Sequence, residues 1–129
     1  MATAAPAASG RVIQITGPVV DIEFPAGELP TILNAVEIVR EGQEPLTCEV
    51  QQHLGNNWVR AVAMTTTDGL ARGTAVRDTG SPITVPVGEV TLGRVFDVLG
   101  KAIDGKGDVD RTTVLPIHRA PPSFEDQTT

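Results

Sequence analysis

Aromatic side chains are almost missing from this chain. Its 129 residues include Trp58, Phe24, Phe96 and Phe124 and no tyrosine, 3% in all. A core must therefore be assembled from Val, Ile, Leu and Ala, and a surface for stacking nucleobases has little to work with. Cysteine is scarcer still. Cys48 stands alone, which excludes an intrachain disulfide and fits a reducing compartment. Its place in an alternating segment predicts a small buried apolar side chain rather than a reactive thiol. Positive charge is the minority sign: 10 Lys and Arg against 16 Asp and Glu give a net charge of −6. With no Lys/Arg run, that balance argues against binding nucleic acid or an anionic membrane surface. Nothing approaches the ~20 consecutive apolar residues that span a bilayer.

The opening "MATAAPAASG" has neither a charged n-region nor a long apolar run, so it does not read as a secretory signal, and it lacks the Arg of most organellar transit peptides. Its Ala, Pro, Ser and Gly predict a disordered tail over residues 1–9.

What the chain does have is glycine (13), proline (10) and short alternating runs. "VVDIEF" sets Val20, Ile22 and Phe24 on one face against Asp21 and Glu23 on the other. "AVEIVR" sets Val36 and Ile38 against Glu37, and "LTCEVQ" sets Leu46, Cys48 and Val50 against Thr47, Glu49 and Gln51. A period of two marks half-buried strands. Between the runs lie "TGP", "PAGELP", "REGQEP", "LGNN", "TDG" and "DTGSP", rich in the residues that tolerate or impose turns. Many short strands predict an all-β domain, and the modest length of residues 11–86 favours closure into a barrel, which removes exposed edges. A domain this small buries only ~60% of its unfolded surface, so neighbouring subunits have burial to add.

After Pro86 the pattern changes. In "TLGRVFDVLG", Leu92, Val95, Phe96 and Leu99 fall at i, i+3, i+4 and i+7, which predicts a helix over residues 91–99, with Thr91 as N-cap and Gly100 as its stop. Gly93 in the first turn weakens it. The remainder is loop-like and Pro-rich, with one extended piece, "TVLPI". The domain boundary is expected at residues 81–86.

Residues 100–107, "GKAIDGKG", meet the phosphate-loop pattern G-x-x-x-x-G-K-[ST] at every position except the last, Gly107. A phosphate loop needs a strand before it, a helix after it, and a hydroxyl for magnesium. Here a helix is expected before and a Pro-limited segment after, and Asp104, Asp108 and Asp110 would repel a triphosphate. The stretch reads as a helix stop, a short extended "AID" and a turn. His53 and His118 have no ligand spacing, so no metal site is expected. The carboxylates Asp21, Glu23, Glu37, Glu49, Asp68 and Asp78 mostly alternate with apolar residues and read as solvated strand faces. No serine sits in G-x-S-x-G. Catalytic, cofactor-binding and metal-binding residues are therefore all expected to be none.

Four blocks in order carry a resemblance: "GRVIQITGPVVDIEFPAGELPTILNAVEI", "CEVQQHLGNNWVRAVAMTTTDGLARG", "DTGSPITVPVGEVTLGRVFDVLGKAID" and "PIHRAPPSFED". Over residues 10–126 the chain resembles the N-terminal part of the catalytic beta subunits of the rotary proton-translocating ATP synthases. The related alpha subunits share "VPVG…LGRV…LG…ID", but "EVQQHLG", "VRAVAM" and "TDGLARG" look like beta. The resemblance implies a closed six-stranded β-barrel over residues 10–86. It also implies the start of a RecA-like α/β nucleotide domain over residues 87–129. The family's phosphate loop, catalytic glutamate and adenine-pocket aromatics match no position here, so none is carried over.

The full subunit implied would synthesise or hydrolyse ATP, with ATP/ADP and magnesium bound elsewhere in it. This 129-residue chain alone is expected to be non-catalytic. Implied partners are alpha subunits, in an alternating hexamer held by its ring of barrels, and the central-shaft subunit. No nucleic acid and no direct membrane insertion are expected. The implied location is peripheral on the energy-coupling membrane, on the cytoplasmic face if bacterial, or the matrix or stroma side if organellar. The alternatives are an oligonucleotide-binding barrel and a free-standing barrel adaptor.

Overall fold

The computed structural model describes residues 9–128, so most of the expected disordered tail lies outside the described residues. The chain divides into two compact units, one ending at Ile83 and the other beginning at Thr84.

The first unit is a closed barrel of six strands: β1 (Ser9–Thr16), β2 (Val19–Glu23), β3 (Asn34–Ile38), β4 (Leu46–Gly55), β5 (Trp58–Ala63) and β6 (Ala75–Pro82). Their order around the barrel is β1-β2-β5-β4-β3-β6, and β6 returns to β1. All neighbours are antiparallel. The all-β, six-stranded closed barrel is therefore the observed architecture. The closing seam is the shortest, with Ser9, Gly10 and Arg11 facing Arg77, Val76 and Ala75.

The alternation read from the sequence is the alternation that folds. Val20, Ile22 and Phe24 of the first run, Val36 and Ile38 of the second, and Leu46, Cys48 and Val50 of the third are all buried in one core. Val12, Val59, Ala61, Ala63 and Val76 complete it. β-branched residues dominate because they sit well on a pleated, half-buried surface. Register shifts place extra residues on β1, β4 and β6 and mark bulges there. Each adds local bend and twist, and a sheet this narrow needs both to close on itself.

Two glycines and two asparagines set key turns and contacts. Asn56 and Asn57 both take positive φ (53° and 63°) between Gly55 and Trp58, the conformation a two-residue β4–β5 hairpin requires. Gly17 (φ 59°) does the same work between β1 and β2. Gly10 is required for a different reason: a Cβ there would lie 2.8 Å from the Phe24 ring and 2.9 Å from the Glu23 carbonyl oxygen. Leu33 takes φ 77°, a left-handed conformation worth about 1–3 kcal/mol of strain. Its N–H is held by the Val50 carbonyl at 2.7 Å.

The second unit is sparsely packed. Strands β7 (Thr84–Pro86) and β8 (Val114–Pro116) form a two-stranded antiparallel sheet. Pro86 and Gly100 are its only buried residues among those described. Leu92, Val95, Val98, Ile103 and Phe124 are exposed, Phe124 to 90%.

The helix expected over residues 91–99 does not form. A 3-10 turn covers Glu89–Thr91, and the chain then makes a narrow hairpin in which Phe96 bridges Ala102. Asp97 N–H donates to the Lys101 carbonyl and Ile103 N–H to the Val95 carbonyl, both at 2.9 Å. Three causes combine. Gly93 sits at φ 70°, outside the helical region. Carboxylates capture amides that a helix would use: Asp104 takes Val95 N–H, and Asp97 takes those of Leu99 and Lys101. The apolar stripe also finds no surface to bury against, and amphipathic helices are stabilised mainly by such packing.

Candidate functional site

The barrel's outer wall is stitched by ion pairs across its seams. Arg60 on β5 grips Asp21 on β2 with two bonds of 2.9 and 3.1 Å. Arg11 on β1 reaches Glu23 on β2 at 3.0 Å, and Arg77 on β6 pairs with Glu37 on β3. Asp21 was expected on a solvated face, yet it is 5% exposed, and Glu49 is 7% exposed. Both point away from the core; long polar neighbours cover them. The Arg60 guanidinium lies over Asp21, and the Gln51 amide donates to Glu49 at 2.6 Å. Its bonds to Asp21, together with the negative charge there, raise the Arg60 guanidinium above its ordinary value.

These pairings set a carboxylate beside Arg11, Arg60 and Arg77 on the barrel wall. Three of the barrel's arginines are engaged by carboxylates, and Arg40 donates to the Glu44 carbonyl. The barrel's aromatics give no stacking platform: Phe24 is buried and Trp58 is half-buried.

A groove of about 530 Å³ opens where the β3–β4 turn meets the β5–β6 loop, lined by Val39, Arg40, Asp68, Gly69, Leu70 and Thr74 among others. Leu70 packs against the core. The loop is pinned on both sides of its tip, by the Thr67 hydroxyl donating to the Gly17 carbonyl at 2.8 Å and by Leu70 N–H donating to the Thr67 carbonyl at 3.0 Å.

Residues 100–107 are built as a clamp. Asp104 receives Arg94 at 2.8 and 3.1 Å, and the N–H groups of Val95 and Lys106 at 3.0 Å each. Arg94 also donates to the Gly107 carbonyl. The Arg94 bonds first, and then the two amides, hold the Asp104 carboxyl well below the usual carboxylate range. Beside this loop is a hollow of about 570 Å³ lined by Gly100, Lys101, Asp108, Asp110 and Arg111. Arg111 is committed to the carbonyls of Gly100 and Thr84, and the Thr112 hydroxyl and N–H hold Asp110 ionised.

This arrangement does not fit a nucleotide triphosphate or its magnesium. The amide of Lys106, which a phosphate loop turns toward its ligand, is turned toward Asp104 instead. Gly107 offers no hydroxyl. A hairpin, not a strand, leads in.

The remaining candidates are dispersed. His53 Nε2–H donates to the Pro30 carbonyl at 2.7 Å near the end of β4, and His118 is exposed in the second unit. Among the described residues no group of His, Cys, Asp and Glu is placed to hold a metal ion. Cys48 is fully buried, and burial pushes its thiol up to about 12, so it is a core residue and not a nucleophile. No helix among the described residues is long and apolar enough to cross a membrane.

The family comparison agrees with the architecture. The family model for the ATP synthase alpha/beta family, beta-barrel domain, matches residues 12–80, just over half of the chain. The matched span covers β2 to β5 completely, β1 from Val12 onward and β6 as far as Gly80. The chain belongs to the ATP synthase alpha/beta family. Members of that family work in assembly with other ATP synthase subunits.

Proposed function

We propose that the chain is the N-terminal part of a catalytic beta subunit, and that its barrel takes its place between alpha-subunit barrels in the ring of an alternating hexamer. The observation that carries the reading is where the beta-like residues fall. "EVQQHLG" lies in β4, "VRAVAM" spans β5, and "TDGLARG" forms the loop lining the groove. The barrel itself supports a structural role. A closed wall with ion pairs across three seams is a rigid body, and it can fix one end of a subunit while the rest moves.

In this reading, the complex lies peripherally on an energy-coupling membrane, and the full subunit makes ATP from ADP and phosphate with magnesium. Residues 100–107 supply none of that chemistry. Residues 84–128 open the nucleotide domain, and their exposed Leu92, Val95 and Ile103 are surface for further chain to cover.

The test is assembly. The chain is mixed in turn with the barrel region of an alpha subunit and with that of a beta subunit, and each mixture is sized by light scattering, with crosslinks mapped. Mixed species with alternating crosslinks are expected. Crosslinked species with beta-subunit barrels but none with alpha would assign the chain to the alpha side instead.

A further inference from the structure

The sequence contains two Asp-Gly steps, Asp68–Gly69 and Asp104–Gly105, and the structure treats them oppositely. An Asp-Gly step is chemically fragile. The glycine amide nitrogen attacks the aspartyl Cγ, an N–Cγ bond forms, the Cγ–OH bond breaks, and one water leaves with the amide proton. The resulting succinimide takes up water again. Opening at Cγ restores aspartate, whereas opening at the backbone carbonyl carbon leaves an isoaspartyl residue, with one extra methylene in the main chain. The reaction needs a neutral, mobile carboxyl group and an accessible amide, and glycine favours it because no Cβ obstructs the approach.

Asp104 fails the first of these requirements. Its side chain is 8% exposed, its two oxygens are taken by Arg94 and by the amides of Val95 and Lys106, and it is held as a carboxylate. Asp68 is placed differently. Both Asp68 and Gly69 are exposed at the tip of the β5–β6 loop. No described residue donates to the Asp68 carboxylate, and no described acceptor takes the Gly69 N–H. Thr67 and Leu70 anchor the loop on either side of the exposed Asp68–Gly69 step.

We propose that Asp68–Gly69 is a site of spontaneous isoaspartyl formation, and that Asp68 is thereby a substrate for carboxyl methylation by an isoaspartyl-specific methyltransferase. Asp104–Gly105 is the protected control within the same chain. The conversion falls on the wall of the groove, where the added methylene displaces the turn closed by Leu70 N–H and the Thr67 carbonyl.

The full chain is aged at mildly acidic pH, methylated with labelled S-adenosylmethionine and an isoaspartyl methyltransferase, and cleaved with trypsin. Label is expected in the peptide of residues 61–72, about tenfold above that in residues 102–106, since the clamp must open locally before Asp104 reacts. Asp68→Glu removes the label from residues 61–72 while keeping the charge. Arg94→Gln raises the label in residues 102–106 and leaves residues 61–72 unchanged. Absence of label in residues 61–72 overturns the proposal, as does equal labelling of both peptides in the unaltered chain.

Discussion

The barrel and the segment that follows it obey the same sequence rules to very different effect. Both carry regularly spaced apolar residues. In the barrel, a period of two lines up Val20, Ile22, Val36, Ile38, Cys48 and Val50, and each is buried by its counterparts on facing strands. In the second unit, a helical spacing lines up Leu92, Val95, Phe96 and Leu99, yet Leu92 is 75% exposed and no helix forms. The difference is the presence of a partner surface. Closure lets a sheet supply its own, whereas an amphipathic helix depends on one supplied by other elements. What orders residues 84–128 is polar instead: the Arg94–Asp104 clamp, the Asp97-capped hairpin and the Arg111 strap.

Substitutions should separate the two regions sharply. Phe24→Ala empties the largest fully buried side chain of the barrel and is expected to cost about 3–5 kcal/mol in denaturant unfolding. Leu92→Ala should stay within about 0.5 kcal/mol. Comparable losses at both positions would erase the distinction. Gly10→Ala comes next. Its Cβ would press on the Phe24 ring and the Glu23 carbonyl, and overpacking of this kind costs about 1–3 kcal/mol. A melting temperature unchanged by that substitution would mean that β1 moves aside freely.

Alkaline titration reaches the barrel core alone. The unfolded thiol ionises near its ordinary 9.0, whereas buried Cys48 holds its proton to about 12. Between those values the unfolded state binds fewer protons, so stability falls as pH rises, by up to about 1.4 kcal/mol per pH unit. Cys48→Ala should flatten that slope, although it lowers stability at neutral pH; an unchanged slope would assign it to other groups. The smallest effect belongs to the clamp. Arg94→Ala should speed hydrogen exchange at the amides of Val95 and Lys106 without altering that of β5. Acid acts in the same place, because the depressed Asp104 contributes stability above the ordinary carboxylate range that is lost progressively as pH falls below it.

Strands were legible in the sequence because a half-buried sheet writes its period directly: every core residue named from the three alternating runs is buried. The hairpin of residues 95–103 was hidden behind a stronger-looking helical spacing. Its signal was present in "DVLG", with Asp at the first position of a turn and Gly at the last, where φ is positive. Burial of Asp21 was invisible because it depends on Arg60 standing opposite on the neighbouring strand, and pairing register is not readable from one strand alone; Glu49 is bonded by Gln51, two residues along its own strand. The dismissal of "GKAIDGKG" as a phosphate loop rested on flanking structure and nearby acidic charge. One of those acids, Asp104, proves to be the centre of the clamp; the lead-in is a hairpin where a helix was expected.

The most direct test of the account is native-state hydrogen exchange of the whole chain, followed residue by residue. The amides of β2, β4 and β5 should exchange only through global unfolding and share one free energy, while those of residues 84–128 should open at distinctly lower cost. Amides in residues 95–103 that exchange as slowly as those of β5 would contradict it.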